Sequence, residues 1–415
     1  MSGFNDSSTP SAGAPTPSSQ NGGRVLNIGF VSAFPPGQNS LNEYGYHFVS
    51  HLSRHERVKT VTLFADETVD GPPTPMRGVD EIVAWRFNAL GNPVRLLRAI
   101  RKARPDALLF NLQFATFGDT RVAGALGLLV PALARLTRIP VGVILHNLAD
   151  NVDMQDAGFA GSALAAKVMK LAGRVLTRAL LKADYVALTI PRYVEFVRES
   201  YGARNVLLSP HGSFEEIAVP SFSVPDGDRT ILAFGKWGTY KTVDVLIEAY
   251  RQLRDRGYRD LRLVIAGTDS PNAPGYLASI AEENSDLEGL EFTGYVAESD
   301  VAGLFGNAEV VAFPYTSTTG SSGVLHQAGE YGRAAVLPRI GDLVDIIEEE
   351  GFAGEYFEPG DTQSLVNALA TVLDSPERRE QLGRQNYAAA TGIPMSEVVH
   401  WHMIHLQRLL VRKRR

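Results

Sequence analysis

Thr316–Ala328 reads Thr-Ser-Thr-Thr-Gly-Ser-Ser-Gly-Val-Leu-His-Gln-Ala. A short apolar run, Val310–Phe313, precedes it and reads as a buried strand ending at Pro314, while Val324, Leu325 and Ala328 begin a helix. The first N–H groups of a helix lack intrahelical partners and lie at the positive end of its dipole, so a Gly/Ser turn here suits an anion. An ordinary Ser/Thr cap gives the same pattern. Lys236 and Lys241 stand in a second such stretch, Phe234–Val243, between a predicted strand and helix. A cation at a helix start opposes the dipole and costs roughly 0.3–1 kcal/mol. A diphosphate within reach of both lysines gives them a reason to be there. Two solvated lysines on a loop are the plain alternative.

The elements that must position these residues alternate along the chain. The first half gives strands at Val25–Ser32, Val61–Phe64, Ala107–Leu112, Val141–Leu145, Tyr185–Leu188 and Asn205–Leu208. Helices fall at Tyr44–Leu52, Val94–Lys102, Val122–Leu136 (buried) and Leu164–Leu181. Ala218–Asp228, with two prolines and no period, reads as a linker. The alternation then restarts with strands Thr230–Phe234, Leu261–Ala266 and Leu290–Thr293 and helices Val243–Leu253, Pro274–Glu283 and Leu365–Leu373. A last helix starts near Ser396, with Val399, Met403, Leu406 and Leu410 on one face. The predicted class is α/β, with two Rossmann-like domains facing across a cleft. The expected boundaries are a disordered tail at 1–23, domains at 24–217 and 229–385, the linker at 218–228, and a terminal helix at 386–415 packing back toward the first domain.

The 415 residues exceed what one core usually supports. A net charge of -6 argues against a dedicated nucleic-acid partner. With no cysteine, disulfides, thiolate metal sites and cysteine nucleophiles are excluded. Met1–Gly23 lacks a secretory signal's basic start and apolar core, and Val122–Leu136 is too short to span a bilayer. The expected setting is the cytoplasm, with the inner face of the cytoplasmic membrane as the alternative. That alternative draws on the terminal Arg412-Lys413-Arg414-Arg415 and on Lys167, Lys170, Arg174 and Arg178, which flank an apolar helix face of Leu164, Val168, Leu171 and Val175. The bland readings are a complemented helix C-terminus and a core face with a solvated side. A Gly-x-Ser-x-Gly elbow is absent from the sequence, which weakens a serine-hydrolase reading.

Gly235-Lys236 followed by Lys241-Thr242-Val243-Asp244-Val245-Leu246-Ile247-Glu248-Ala249 resembles the second-domain loop of family-4 retaining glycosyltransferases with the GT-B fold. The likeness runs on through Leu263–Gly267, Phe292–Val296, Ala312–Tyr315 and Phe357–Asp361. The first domain matches more loosely, at Pro35-Pro36-Gly37, His146-Asn147 and His211-Gly212. The resemblance implies a nucleotide-sugar donor whose diphosphate is gripped by Lys236 and Lys241, with His146 contacting the sugar near the reacting carbon. It further implies that Gly37, Gly235, Gly267, Tyr295, Val296, Thr319, Gly320, Ser321, Ser322, Gly323, Val324, Leu325 and Gln327 bind the donor. No cofactor or metal is implied.

Two positions depart most from the family pattern, with Lys236 (usually arginine) and Thr242 (usually glycine) milder departures. Thr319 and Gln327 stand where the family usually carries glutamates, the first on the donor sugar and the second on the ribose hydroxyls. Glu330, one turn past Gln327, is a candidate substitute, with a solvated helix residue as the plainer reading. The expectation is transfer of a sugar to a saccharide or lipid-linked acceptor. A relative that binds nucleotide sugars or a partner without transferring, and a sugar-nucleotide epimerase, are the alternatives.

Overall fold

The computed structural model describes residues 24–412 except 38, 40, 70, 149–162, 215–217, 224–228, 271–272 and 318–321. Two parallel sheets are built in succession. The first takes β1 (Leu26–Val31), β2 (Val58–Glu67), β3 (Val79–Arg86), β4 (Ala107–Leu112), β5 (Val141–Leu145), β6 (Tyr185–Leu188) and β7 (Val206–Leu208) in the order β3-β2-β1-β4-β5-β6-β7. Its helices are α1 (Asn42–Arg54), α2 (Asn92–Ala103), α3 (Arg121–Leu128), α4 (Val130–Ala134), α5 (Ala163–Leu180) and α6 (Pro191–Tyr201). The second sheet takes β8 (Arg229–Trp237), β9 (Leu261–Asp269), β10 (Leu290–Gly294), β11 (Val310–Ala312), β12 (Ala334–Pro338) and β13 (Glu355–Phe357) in the order β10-β9-β8-β11-β12-β13. With it come α7 (Asp244–Asp255), α8 (Tyr276–Glu283), α9 (Glu298–Gly306), α10 (Gly323–Glu330), α11 (Gly341–Glu350), α12 (Thr362–Asp374), α13 (Pro376–Thr391) and α14 (Met395–Arg412).

Every side chain of β4 and β5 is buried, as strands covered on both faces require. In each sheet the strand order reverses once, between β1 and β4 and between β8 and β11. Ligands of open α/β sheets settle at the carboxyl ends of the strands beside such a reversal. Chain continuity explains the reversal: each right-handed crossover puts its helix on one face, and covering both faces needs a change of direction.

Several expectations change in the structure. The run Val122–Leu136 is broken into α3, α4 and a 3-10 turn at Arg135–Thr137, and Val122 and Leu136 are mostly exposed. Pro131, at the second position of α4, cannot continue the preceding hydrogen-bond ladder. Among the described side chains of α5, Gly173, Leu176, Thr177 and Leu180 are buried, whereas Leu171 and Val175 face solvent beside Arg174 and Arg178. Over this stretch the inward face differs from the one expected; the side chains of Leu164, Lys167, Val168 and Lys170 lie outside the described ones. Glycine and threonine are small enough to let it approach its neighbours. β3, α6, α9, β12, α11, β13 and α13 were not foreseen. The 385/386 position lies inside α13, and the chain returns to the first sheet only with α14. Val399, Met403 and Leu406 of α14 are fully buried in the cluster that also holds Ile28, Phe30, Phe48 and Leu52. The core of the first half is thus completed by the last helix of the chain. The tail at 1–23 and most of the linker's second half, 224–228, lie outside the described residues.

Candidate active site

Lys236 occupies the penultimate position of β8, opposite Thr268 of β9. The loop beyond it is laced to the segment that leads into α10. Lys241 bridges Tyr315, and the Thr316 N–H donates to the Tyr240 carbonyl at 2.9 Å. Lys241 Nζ lies 4.3 Å from the centre of the Tyr315 ring, inside cation–π range. The buried Tyr315 hydroxyl lies near Ser322 without a hydrogen bond to it. Ser322 caps α10, its Oγ accepting from the Leu325 N–H at 3.4 Å. Lys241 on Tyr315, and Ser322 at the start of α10, are therefore neighbours.

Burial pushes Lys241 down to about 8, and repulsion from Lys236 adds to it. Lys236 is also lowered by burial, against an opposing pull from Glu43. Glu43 stands in the first turn of α1, so the cationic pair looks toward the first sheet's half of the molecule. Two partly desolvated cations side by side are costly unless an anion joins them.

The first half supplies an aromatic group opposite. His146, directly after β5, is buried. Its Nε2 lies 2.8 Å from Asn111 Oδ1, at the end of β4. Asn111 Nδ2 donates to Ser32 Oγ at 3.0 Å and to the Leu41 carbonyl at 3.4 Å. A carbonyl only accepts, so Asn111 must present its amide nitrogen there and its oxygen to His146. His146 accordingly carries its proton on Nε2 and keeps Nδ1 as an acceptor. Desolvation holds it well below the usual histidine range, in the neutral form. Tyr44 of α1 meets the edges of His146 and His211, with ring centres 4.4 and 4.8 Å away. His211 stacks on His326 of α10 at 4.9 Å. A Cβ on Gly323 would stand 3.7 Å from the Cε1–Nε2 edge of His211. The series His146, Tyr44, His211 thereby reaches the first residue of the same helix that Lys241 approaches through Tyr315.

The remaining predicted residues divide. Val324 is half-buried, while Leu325 and Gln327 are buried on α10. Thr319, Gly320 and Ser321 lie outside the described residues. Gly235 and Gly267 pair in register, and a Cβ on Gly267 would stand 1.9 Å from the Gly235 carbonyl oxygen. With φ at 110°, Gly267 is needed for the close approach of β8 and β9 whatever binds nearby. Gly37 is buried under Thr68, whose Cγ2 would meet a Cβ there at 2.4 Å. Tyr295, 56% exposed, and half-buried Val296 follow the edge strand β10, two strands away from β8. Glu330 corrects the solvated reading: it is 2% exposed and accepts from the Phe214 N–H, tying α10 to the segment after β7. Its carboxylate is committed there.

Sequence reading missed Tyr44, Asn111, Tyr315 and the placement of His211. Asn111 alone left a signal, as the one polar side chain in the buried run Ala-Leu-Leu-Phe-Asn-Leu. Among the described residues no group of three or more His, Asp or Glu is placed to hold a metal ion. Among the same residues no helix is long and apolar enough to cross a membrane.

Part of the chain is similar to known proteins. Residues 228–375 match the model of Glycosyl transferases group 1. The chain is 35% identical over 95 residues to the sulfoquinovosyl transferase SQD2 of Arabidopsis thaliana, covering 22% of this chain and 18% of that protein. It is 24% identical over 232 residues to the O-antigen chain mannosyltransferase C of Escherichia coli, covering 53% of this chain and 59% of the relative. The chain thus spans well under two thirds of the length of these relatives. Among solved structures, sucrose-phosphate synthase from Thermosynechococcus elongatus superposes with a TM-score of 0.69 at 16% identity, covering 93% of this chain and 99% of the other. HepE of Anabaena, solved in complex with UDP-glucose, superposes at 0.66 with 18% identity, covering 92% of this chain and 100% of that one. The two reversed parallel sheets are those of the GT-B fold, and the part of the chain that builds the second of them, residues 228–375, is similar to Glycosyl transferases group 1.

Proposed function

We propose that this protein transfers a sugar from a nucleotide-diphosphate sugar to a saccharide or lipid-linked acceptor, with retention at the anomeric carbon. The observation that carries the reading is the convergence of Lys236, Lys241 and the start of α10 through Tyr315 and Ser322. Two cations and a set of free amides, all drawn partly out of water, are matched to a diphosphate and to little else of comparable size. The mannosyltransferase relative and the neighbour solved with UDP-glucose support the same donor class.

In this reading the lysines and the α10 amides stabilise the negative charge that grows on the diphosphate as the glycosidic bond breaks. They take the place of the metal ion that other phosphate leaving groups use, so activity persists in a chelator such as EDTA. His146, with Nε2–H held by Asn111, meets a hydroxyl of the transferred sugar through Nδ1 as an acceptor. Gln327 replaces a charged contact to the ribose by a neutral one, which leaves the donor's base and sugar to be read by experiment.

Thermal-shift screening against UDP, GDP, ADP and their sugars, followed by donor-hydrolysis and transfer assays, tests the reading. Stabilisation by one nucleotide family and sugar transfer from it are expected. Stabilisation by none of them overturns the proposal. Tight binding without turnover on any donor or acceptor favours a binding protein, and turnover of the donor without acceptor or hydrolysis favours an epimerase.

A further inference from the structure

His211 is held in a way that only one kind of ligand would complete. The Gly212 carbonyl lies 3.0 Å from Nδ1, and since a carbonyl only accepts, Nδ1 carries the proton. That leaves Nε2 as a bare acceptor, on the ring edge turned toward Gly323, the first residue of α10. An oxygen of a diphosphate seated at this helix start is also a pure acceptor, and two lone pairs facing each other repel. Moving the ring proton to Nε2 only transfers the conflict to Gly212. With an acceptor at each nitrogen, the imidazole is satisfied only when both carry protons.

We propose that His211 takes up a proton from solvent on Nε2 as the diphosphate of the donor binds, becoming a third cationic contact to the leaving group. The inference rests on the reading of this site as a diphosphate site. The surroundings fit a group that is neutral when empty. Tyr44 and His47 of α1, His146 after β5 and His326 of α10 face the ring, together with Phe214. Of the nearby carboxylates, Glu330 accepts from the Phe214 N–H, and Glu350 lies 3.1 Å from His326 Nε2 without a hydrogen bond to it, its carboxyl raised to about 7 by burial. Burial holds His211 down to about 4 in the absence of an anion. An anion arriving next to it raises that value, and the difference appears as protons bound with the ligand.

The test is calorimetric titration with UDP-glucose, GDP-mannose and ADP-glucose in two buffers of different ionisation enthalpy. These diesters do not titrate between pH 5 and 9, so any proton exchanged belongs to the protein. At pH 6 Lys241 is already charged and cannot contribute. Wild-type protein is expected to take up roughly half to one proton per nucleotide sugar at pH 6. His211→Asn is expected to bind several-fold more weakly and to take up almost none. Nitrogen-15 spectra of histidine-labelled wild-type protein supply a readout independent of any variant: one Nε2 signal shifts from the unprotonated to the imidazolium position on binding. Binding without uptake, or uptake unchanged in His211→Asn, overturns this inference and leaves the donor reading standing. Failure of every nucleotide sugar to bind the wild type overturns both.

Discussion

Lys241 illustrates how a single buried charge serves a site. In the empty protein its ammonium is lowered to about 8 by desolvation and by Lys236. It is therefore cationic below that value and neutral above it. Because kcat/KM reports the free enzyme, kcat/KM should show a distinct fall as pH rises through about 8, above the decline that proton uptake by His211 produces near pH 6. Lys241→Arg, which stays charged, should move that fall to higher pH even where its rate is reduced. Removing the charge in Lys241→Ala or Lys236→Ala should lower kcat by about 100- to 1,000-fold, the usual cost of one electrostatic contact to a developing anion. Both variants should keep the wild-type circular dichroism. Near-normal rates in both would remove diphosphate stabilisation as the mechanism. The lysines and the Gly/Ser turn were legible in the sequence because their loops sit between clear strands and helices. Tyr44 and the placement of His211 were not, since nothing local distinguishes a polar side chain lining a cleft from one capping a strand.

At the level of elements, the close pairing of β8 with β9 sets where Lys236 emerges. Gly267→Ala would place a methyl on the Gly235 carbonyl and force a positive φ on a residue with a side chain. The expected loss is at least about 3 kcal/mol, read as a lower urea midpoint, with donor affinity lost as well. A loss below 1 kcal/mol would show that the two strands can part cheaply. α10 carries a second element-scale consequence. His326 and Glu350 of α11 lie 3.1 Å apart, and burial raises Glu350 to about 7. A carboxyl raised above its unfolded value favours the fold at low pH, and that stability is lost as pH rises from about 4.5 through about 7. Glu350→Gln should therefore raise the melting temperature at pH 8 and change it little at pH 5. An equal change at both values would place the effect in packing and not in the proton. The alternation of strands and helices was readable from apolar runs, whereas the inward face of α5 was not. Gly173 and Thr177 turn inward there and Leu171 outward, an outcome fixed by how closely neighbouring elements can approach.

Across the whole molecule, α14 and Glu330 are among the connections that bind the halves. α14 returns from the second sheet to complete the core of the first, where His402, held neutral by burial, accepts or donates at both ring nitrogens to Tyr185 and Ser209. Glu330 of α10 holds the Phe214 backbone beside the chain between the two sheets. Glu330→Ala leaves that buried N–H without its acceptor and should cost about 1–3 kcal/mol. Because the bond joins the two halves, calorimetry should show one thermal transition in the wild type and two partly separated transitions in the variant. A single transition merely shifted downward would mean that Glu330 serves α10 alone.

The sequence by itself determined the repeating α/β order, the break into two halves, the loops that carry Lys236 and Lys241, and the hydroxyl-rich turn before α10. Apolar spacing, turn residues and helix caps act over a few residues, and that is the range a linear pattern records. Only the tertiary structure decided that Tyr44, His146 and His211 from one half meet the start of α10 from the other. It likewise decided that Glu330 is spent on a buried N–H. Burial and charge at those places depend on neighbours more than a hundred positions distant, and no local period encodes who they are.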